Sequence, residues 1–416
     1  MTATRAGTEP ATRLARRLGV VDAVVIGLGA MIGAGIFAAL APASRAAGAG
    51  LLAGLAIAGF VAYCNATSSA ALAALYPESG GTYAYGRHRL GAFWGFLAGW
   101  GFVVGKIASC AAMALTFAYY AAPALARPLA LAAVVAMTAI NCLGIGKTAL
   151  ATRIIVAFVL ACLAVVVFAA AFGGTADASH LFPGALDVHG VLQSAGFLFF
   201  AFAGYARIAT LGEEVVDPTR TIPRAIPLAL GLTIAVYALV AVVALLAVGP
   251  HVLAESTAPL LAAVEAGRFA ALGPLVRAGA AVASLGVLLS LLAGIGRTSF
   301  AMAANGDLPR WFATVHPRYR VPQRAEFALG AIVATIVLVA DVRNAIGFSS
   351  FAVLVYYGIA NASAYTLRAS ERRWPRALTV AGIAGCALLA ANLPLASIAG
   401  GVIVLAVGAA VFALRR

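Results

Sequence analysis

Twelve stretches of mostly apolar residues leave this 416-residue chain little beyond short connections; they lie near 20–44, 49–75, 91–122, 128–144, 151–173, 189–214, 223–248, 272–304, 325–341, 344–367, 376–392 and 394–414. About 17–25 such residues cross a hydrocarbon core of ~30 Å as a helix. In hydrocarbon the backbone N–H and C=O groups must be satisfied internally, which restricts such stretches to helices. Composition agrees, with 63% hydrophobic and only 10% charged residues, where soluble domains carry roughly 25% charged. The pattern predicts an all-α integral membrane protein of 12 transmembrane helices, both termini on one side.

The net charge of +14 also suits a nucleic-acid binder, so the placement of the basic residues decides. Of the 28 Lys and Arg, 20 fall in one alternating set of segments, Arg13, Arg87, Lys147, Arg220, Arg310 and Arg372 among them, and 5 in the other set, namely Arg45, Arg127, Arg268, Arg277 and Arg343. Excess positive charge marks the cytoplasmic side. Both termini are therefore expected in the cytoplasm of a multi-pass cell-membrane protein, and the charge needs no nucleic-acid partner. Residues 1–19 read as a cytoplasmic tail, because the adjoining apolar segment is too long for a signal peptide. The five cysteines lie within or at the ends of apolar runs without metal-ligand spacing and read as small core residues. No cofactor or metal motif occurs.

Two runs are interrupted near their middles. The first holds Ile32-Gly33-Ala34-Gly35-Ile36-Phe37 and the sixth holds Phe199-Phe200-Ala201-Phe202-Ala203-Gly204-Tyr205. A helix-interior Gly costs about 1 kcal/mol relative to Ala, and an unpaired backbone group in hydrocarbon costs several more. Small residues also mark close helix packing, which suits Gly29. The paired interruptions five runs apart point instead to helices unwound around a ligand. An odd offset inverts membrane orientation, so the reading is a five-plus-five inverted repeat, 20–173 and 189–367, with broken helices 1 and 6. Residues 376–414 form two extra C-terminal helices.

Ile32-Gly33-Ala34-Gly35-Ile36-Phe37 resembles the G-S-G-I-F signature of the amino acid/polyamine/organocation transporters. Similar matches run through Pro77-Glu78-Ser79-Gly80-Gly81-Thr82-Tyr83, Gly99-Trp100, Gly212-Glu213-Glu214 with Asp217-Pro218 and Ile222-Pro223, and Arg297 through Ala301-Met302-Ala303 to Gly306-Asp307-Leu308-Pro309. The bacterial branch related to cationic amino acid transporters is the most similar. The resemblance implies a secondary active transporter of L-amino acids working by alternating access. It places the substrate carboxylate on backbone N–H groups of Gly33, Ala34 and Gly35, where a helix N-terminus favours anions. The α-amino group falls to carbonyls of Ile32, Phe200, Ala201 and Ala203 beside Gly204, with Phe200 as an aromatic gate.

Departures from the family pattern concern charge. Ala34 stands where the family has Ser, Ala206 where many relatives have Asp, and Gly105 where a Glu is common, while Arg207 and Lys106 adjoin the last two. The fifth run has no ionisable group between Ile154 and Phe172, and Val159 aligns with the lysine that proton-dependent members carry. Lys106 is the only lysine within a run and is read as its substitute, either as a fixed cation or as a titrating group. Arg207 either faces the site or ties its half-helix to nearby carbonyls.

No Asp or Glu is placed at mid-depth, with Asp22, Glu213 and Glu214 at the inner ends of runs. A neutral or acidic L-amino acid is therefore expected as substrate, with coupling to H+ or exchange. The alternatives are sodium coupling through Ser284 or Ser290, a cationic amino acid or amine permease, and a non-transporting amino acid sensor. The five histidines form no catalytic constellation, so an enzyme is not expected. Tyr76–Leu90 and Gly306–Arg324 read either as gate elements or as plain polar connections.

Overall fold

The computed structural model describes residues 18–77, 80–144, 149–182, 184–185, 187–211 and 214–415. The tail before Leu18, Lys147, and the motif residues Glu78, Ser79, Gly212 and Glu213 lie outside them, as does the Ala34 side chain.

Every apolar run holds helix. In chain order the elements are α1 (Val20–Met31), α2 (Ala34–Ala47), α3 (Leu51–Leu75), α4 (Thr82–Leu90), α5 (Ala92–Ala121), α6 (Ala126–Cys142), α7 (Ala149–Phe172), α8 (Val188–Phe202), α9 (Ala206–Ala209), α10 (Pro218–Glu255), α11 (Pro259–Glu265), α12 (Gly273–Ala304), α13 (Gln323–Val339), α14 (Val342–Tyr365), α15 (Arg376–Ala391) and α16 (Leu395–Leu414). Nine helical stretches among the described residues are long and apolar enough to cross a membrane. The connection expected between runs two and three contains a helix, α4, set off from α5 by Gly91 at φ 100°.

Local chemistry fixes several ends. Asp187 caps α8 by accepting from the backbone N–H groups of His189 and Gly190, and Asp341 caps α14 through the N–H of Asn344. Side-chain caps satisfy donors that the first turn leaves open. Pro218 and Pro259 open α10 and α11, where a missing N–H is harmless. Gly249 at φ 71°, followed by Pro250, kinks α10 beyond the expected limit of its run.

The bundle is built around α5 and α14. Their apolar windows are 83% and 78% buried, whereas that of α16 is 17% buried. With so few charges to separate inside from outside, small residues set the closeness of approach. A Cβ on Gly105 of α5 would lie 2.8 Å from the Ala352 Cβ of α14. That contact explains Gly105, because no room is left there for a longer side chain. Gly29 is likewise a packing residue, facing Val156 of α7. All five cysteines are buried and unpaired, as expected of small core residues.

Candidate functional site

The first interruption is a true gap in the helix. α1 ends at Met31, Ile32 has φ −77° and ψ 53°, Gly33 has φ −107° and ψ −143°, and α2 resumes at Ala34 with no side chain capping it. The opening N–H groups of α2 have no intrahelical acceptor, and they sit at the positive end of its dipole.

The sixth run behaves differently. Between α8 and α9 the chain tightens into one 3-10 turn, Ala203–Tyr205, and remains helical through Ala209. The expected break is therefore a narrowing of the helix. Its carbonyls are taken: the Ala203 N–H donates to Phe200 O, and the Tyr357 hydroxyl donates to Ala203 O at 3.1 Å. The Tyr237 hydroxyl reaches both Met31 O and, at 3.2 Å, Ala201 O. Tyr237 thus bridges the two interruptions.

Glycines let these segments cross. A Cβ on Gly35 would lie 2.7 Å from the Ala201 Cα, and one on Gly204 would meet the Ala30 carbonyl and lie 2.7 Å from the Met31 nitrogen. Each interruption contributes a glycine that lies against the backbone of the other.

Beside the crossing is a cavity of about 500 Å³. Of the residues singled out in the sequence, Gly35, Phe200, Ala201, Ala203, Gly204, Lys106 and Arg207 line it. Ile32 and Gly33 do not, and the Ala34 side chain lies outside the described residues. Ile32 is buried, and a Cβ on Gly33 would run into the Val287 side chain of α12, which itself lines the cavity. The gap thus reaches the cavity through its flanks, Met31 and Gly35, with Val287 packed against the glycine between them.

The cavity is basic. Lys106 is 8% exposed and has no hydrogen-bond or ion-pair partner among the described residues. Arg207 is half-buried, its side chain equally without a bond among the described residues, and Arg297 and Glu214 are its charged neighbours. All four line the same space. Glu214, assigned only to the inner end of its run by sequence, is thus the cavity's acid among the described lining residues. A second acid, Glu326, stands in the first turn of α13 at the inner end of its run and is 3% exposed, a buried acid that the sequence reading did not single out. A lone acid inside an apolar run was the available signal.

Tyrosine hydroxyls tie the connections together at both ends of the bundle, with a carboxylate at one of them. On the side bearing the α3–α4 and α12–α13 connections, Asp307 accepts from the Tyr83 hydroxyl at 2.7 Å and pairs with Arg87 at 2.6 Å. The Thr82 N–H donates to the Tyr356 hydroxyl at 3.2 Å, and both Tyr83 and Tyr356 line the cavity. The motifs around Thr82 and Asp307 therefore meet in space. On the opposite side the Tyr120 hydroxyl donates to Phe37 O at 3.1 Å and accepts from the Leu260 N–H of α11 at 3.2 Å. Among these tyrosines, sequence reasoning singled out none for its bonds. A tyrosine in an apolar run was the cue, since its hydroxyl needs a partner when buried.

An all-helical bundle with an interrupted helix and a polar cavity at mid-length defines a membrane permease. The amino acid permease family profile matches residues 22–413, and the chain belongs to that family. It is 62% identical over 405 residues, 97% of this chain and 92% of the relative, to a protein of Mycobacterium tuberculosis described as an uncharacterized transporter. It is 28% identical over 385 residues to the chloroplastic cationic amino acid transporter 7 of Arabidopsis thaliana, covering 84% of this chain and 65% of the relative. Against the human cationic amino acid transporter 4 the identity is 29% over 388 residues, 86% of this chain and 60% of the relative.

Proposed function

We propose that the protein is a secondary active transporter of L-amino acids in the cytoplasmic membrane, working by alternating access. The observation that carries this reading is the cavity bounded by both interrupted helices and lined, among the described residues, by three bases and one acid. The substrate carboxylate is assigned to the opening N–H groups of α2, at Gly33, Ala34 and Gly35. The α-amino group is assigned to the carbonyl ends at Ile32, Phe200, Ala201 and Ala203. Ala201 and Ala203 already accept from tyrosines, so the ammonium shares them through their second lone pairs. Phe200 lies against the bound substrate.

Ten of the twelve helices form five-plus-five inverted repeats in this reading, with the two C-terminal helices outside them, the reciprocal glycine contacts being the counterpart of that symmetry. The concentration of basic residues at alternate connections supports cytoplasmic termini. With that orientation the cavity, running towards Gly80, Glu214 and Arg297, faces inward.

Lys106, Arg207 and Arg297 repel a second positive charge on the substrate, so a neutral or acidic side chain is favoured although named relatives are cationic amino acid transporters. Coupling runs to H+ or to exchange of a second amino acid. In proteoliposomes, radiolabelled alanine or glutamate uptake should be competed by either of those two and resist excess arginine; competition by arginine alone overturns the substrate class. Absence of counterflow with every amino acid would make the protein a sensor.

One observation favours sodium as a second reading. Ser284 Oγ is buried without a partner among the described residues, and the carbonyl of the preceding Ala283 faces Gly33. Uptake indifferent to replacement of sodium by choline removes it.

A further inference from the structure

Glu326 stands in the first turn of α13, and its Oε2 has no hydrogen-bond partner among the described residues. Its place is made by a glycine: a Cβ on Gly296 of α12 would lie 2.9 Å from the Glu326 Cδ. The same device recurs one turn along, where Gly330 leaves room for Thr138 Oγ1 of α6, a hydroxyl also without a partner among the described residues. Asn141, a turn from Thr138, hydrogen-bonds the Glu326 carboxyl and donates to Leu289 O at 3.2 Å.

The groups facing Glu326 supply little compensation. From α12 comes the charge of Arg297, the neighbour of Gly296, with its side chain exposed at the cavity. From α6 comes Cys142, and from α5 Cys110, whose thiol is within electrostatic reach of both Glu326 and Lys106. Arg324 of α13 itself turns away, to Thr314 Oγ1 and over the Trp311 ring. Arg310, on the 3-10 turn packed beside α13, is exposed. No ion pair with Glu326 occurs among the described residues.

A carboxylate held as an anion in such a place is costly, whereas a neutral carboxyl is tolerated. A group of this kind changes the pull between two helices each time it gains or loses a proton. The helix it acts on, α12, carries Val287, Gly294 and Arg297 along the cavity wall.

We propose that Glu326 is the proton-carrying residue of transport. The carboxylate binds one proton from water on one face of the membrane and is then free of Arg297. It releases that proton on the other face, as the anion is drawn back towards the guanidinium. Lys106 is then the fixed cation of the site. The inference rests on the transport reading above and adds the proton's own site to it.

The test uses the full-length protein in proteoliposomes, with radiolabelled L-glutamate and L-alanine and an imposed pH gradient. Wild type accumulates substrate in response to the gradient. Glu326→Gln, a mimic of the protonated state, should lose that accumulation at least about tenfold while counterflow at equal pH persists, because only the proton-driven cycle needs both protonation states. Glu326→Asp should regain part of the response. Gradient-driven accumulation by Glu326→Gln at the wild-type level overturns the proposal. Loss of counterflow together with a lowered melting temperature in both variants also overturns it, by making Glu326 a packing residue. A wild-type protein that neither accumulates nor exchanges refutes transport instead. Infrared titration of the purified protein then decides separately: a carboxyl C=O band that titrates in wild type and is missing in Glu326→Gln supports Glu326 as a proton site, and an identical titration in both refutes it.

Discussion

The two interrupted helices solve one problem in opposite ways. Between α1 and α2 the chain leaves helical geometry at Ile32 and Gly33 and restarts with no side-chain cap. Between α8 and α9 it only tightens, and tyrosines from α10 and α14 take up the carbonyls of Ala201 and Ala203. Donors are left open on one side of the crossing and acceptors are tied on the other. An interruption in hydrocarbon thus persists either by waiting for a ligand or by recruiting a neighbour's hydroxyl.

The largest effect is expected where the two segments touch. Gly204→Ala places a methyl against the backbone of Ala30 and Met31, which cannot retreat as a side chain can. We expect a loss of about 3 kcal/mol or more, at the upper end of overpacking costs, read as a fall in melting temperature with loss of substrate stabilisation. A variant melting like wild type would show that the crossing is looser than its geometry.

Lys106→Ala tests the charge beside the crossing while sparing both segments. Uptake in proteoliposomes should fall at least about tenfold, a change of ~1.4 kcal/mol, with melting little altered or raised, since an unpaired buried cation is removed. Full pH-dependent uptake in this variant would remove Lys106 from the mechanism.

The tied side is probed by tyrosine hydroxyls. Tyr237→Phe should cost about 1–3 kcal/mol because the single hydroxyl proton shared between two buried carbonyls is lost to both, and Tyr357→Phe about 1 kcal/mol because one carbonyl loses its donor. Equal effects from both would mean that Tyr237 does not bridge. The smallest change is expected from Val287→Ala, which uncovers Gly33 on the open side at a cost of about 1 kcal/mol or less, because Val287 is only half-buried at the cavity wall. A lower KM for bulky neutral amino acids would accompany it.

Much of this was legible before folding. The apolar runs prescribe helices because no other form satisfies a backbone in hydrocarbon, and each run indeed holds one. The glycines at 33, 35 and 204 marked the crossing, and Lys106 stood out as a charge in an apolar run. Less visible was the fate of each interruption. Whether a glycine opens the helix or only admits a neighbour depends on what that neighbour is.

By itself the sequence determined helices, their approximate limits, the amino acid permease family and a basic centre, since these follow from local composition, spacing and motif. Only the tertiary structure decided that Val287 covers Gly33, that Tyr237 and Tyr357 hold the second interruption, and that Gly296 makes room for Glu326. These depend on which faces of distant helices meet. In a chain so uniformly apolar no periodic pattern distinguishes one face from another, and the close fit of small residues sets the register.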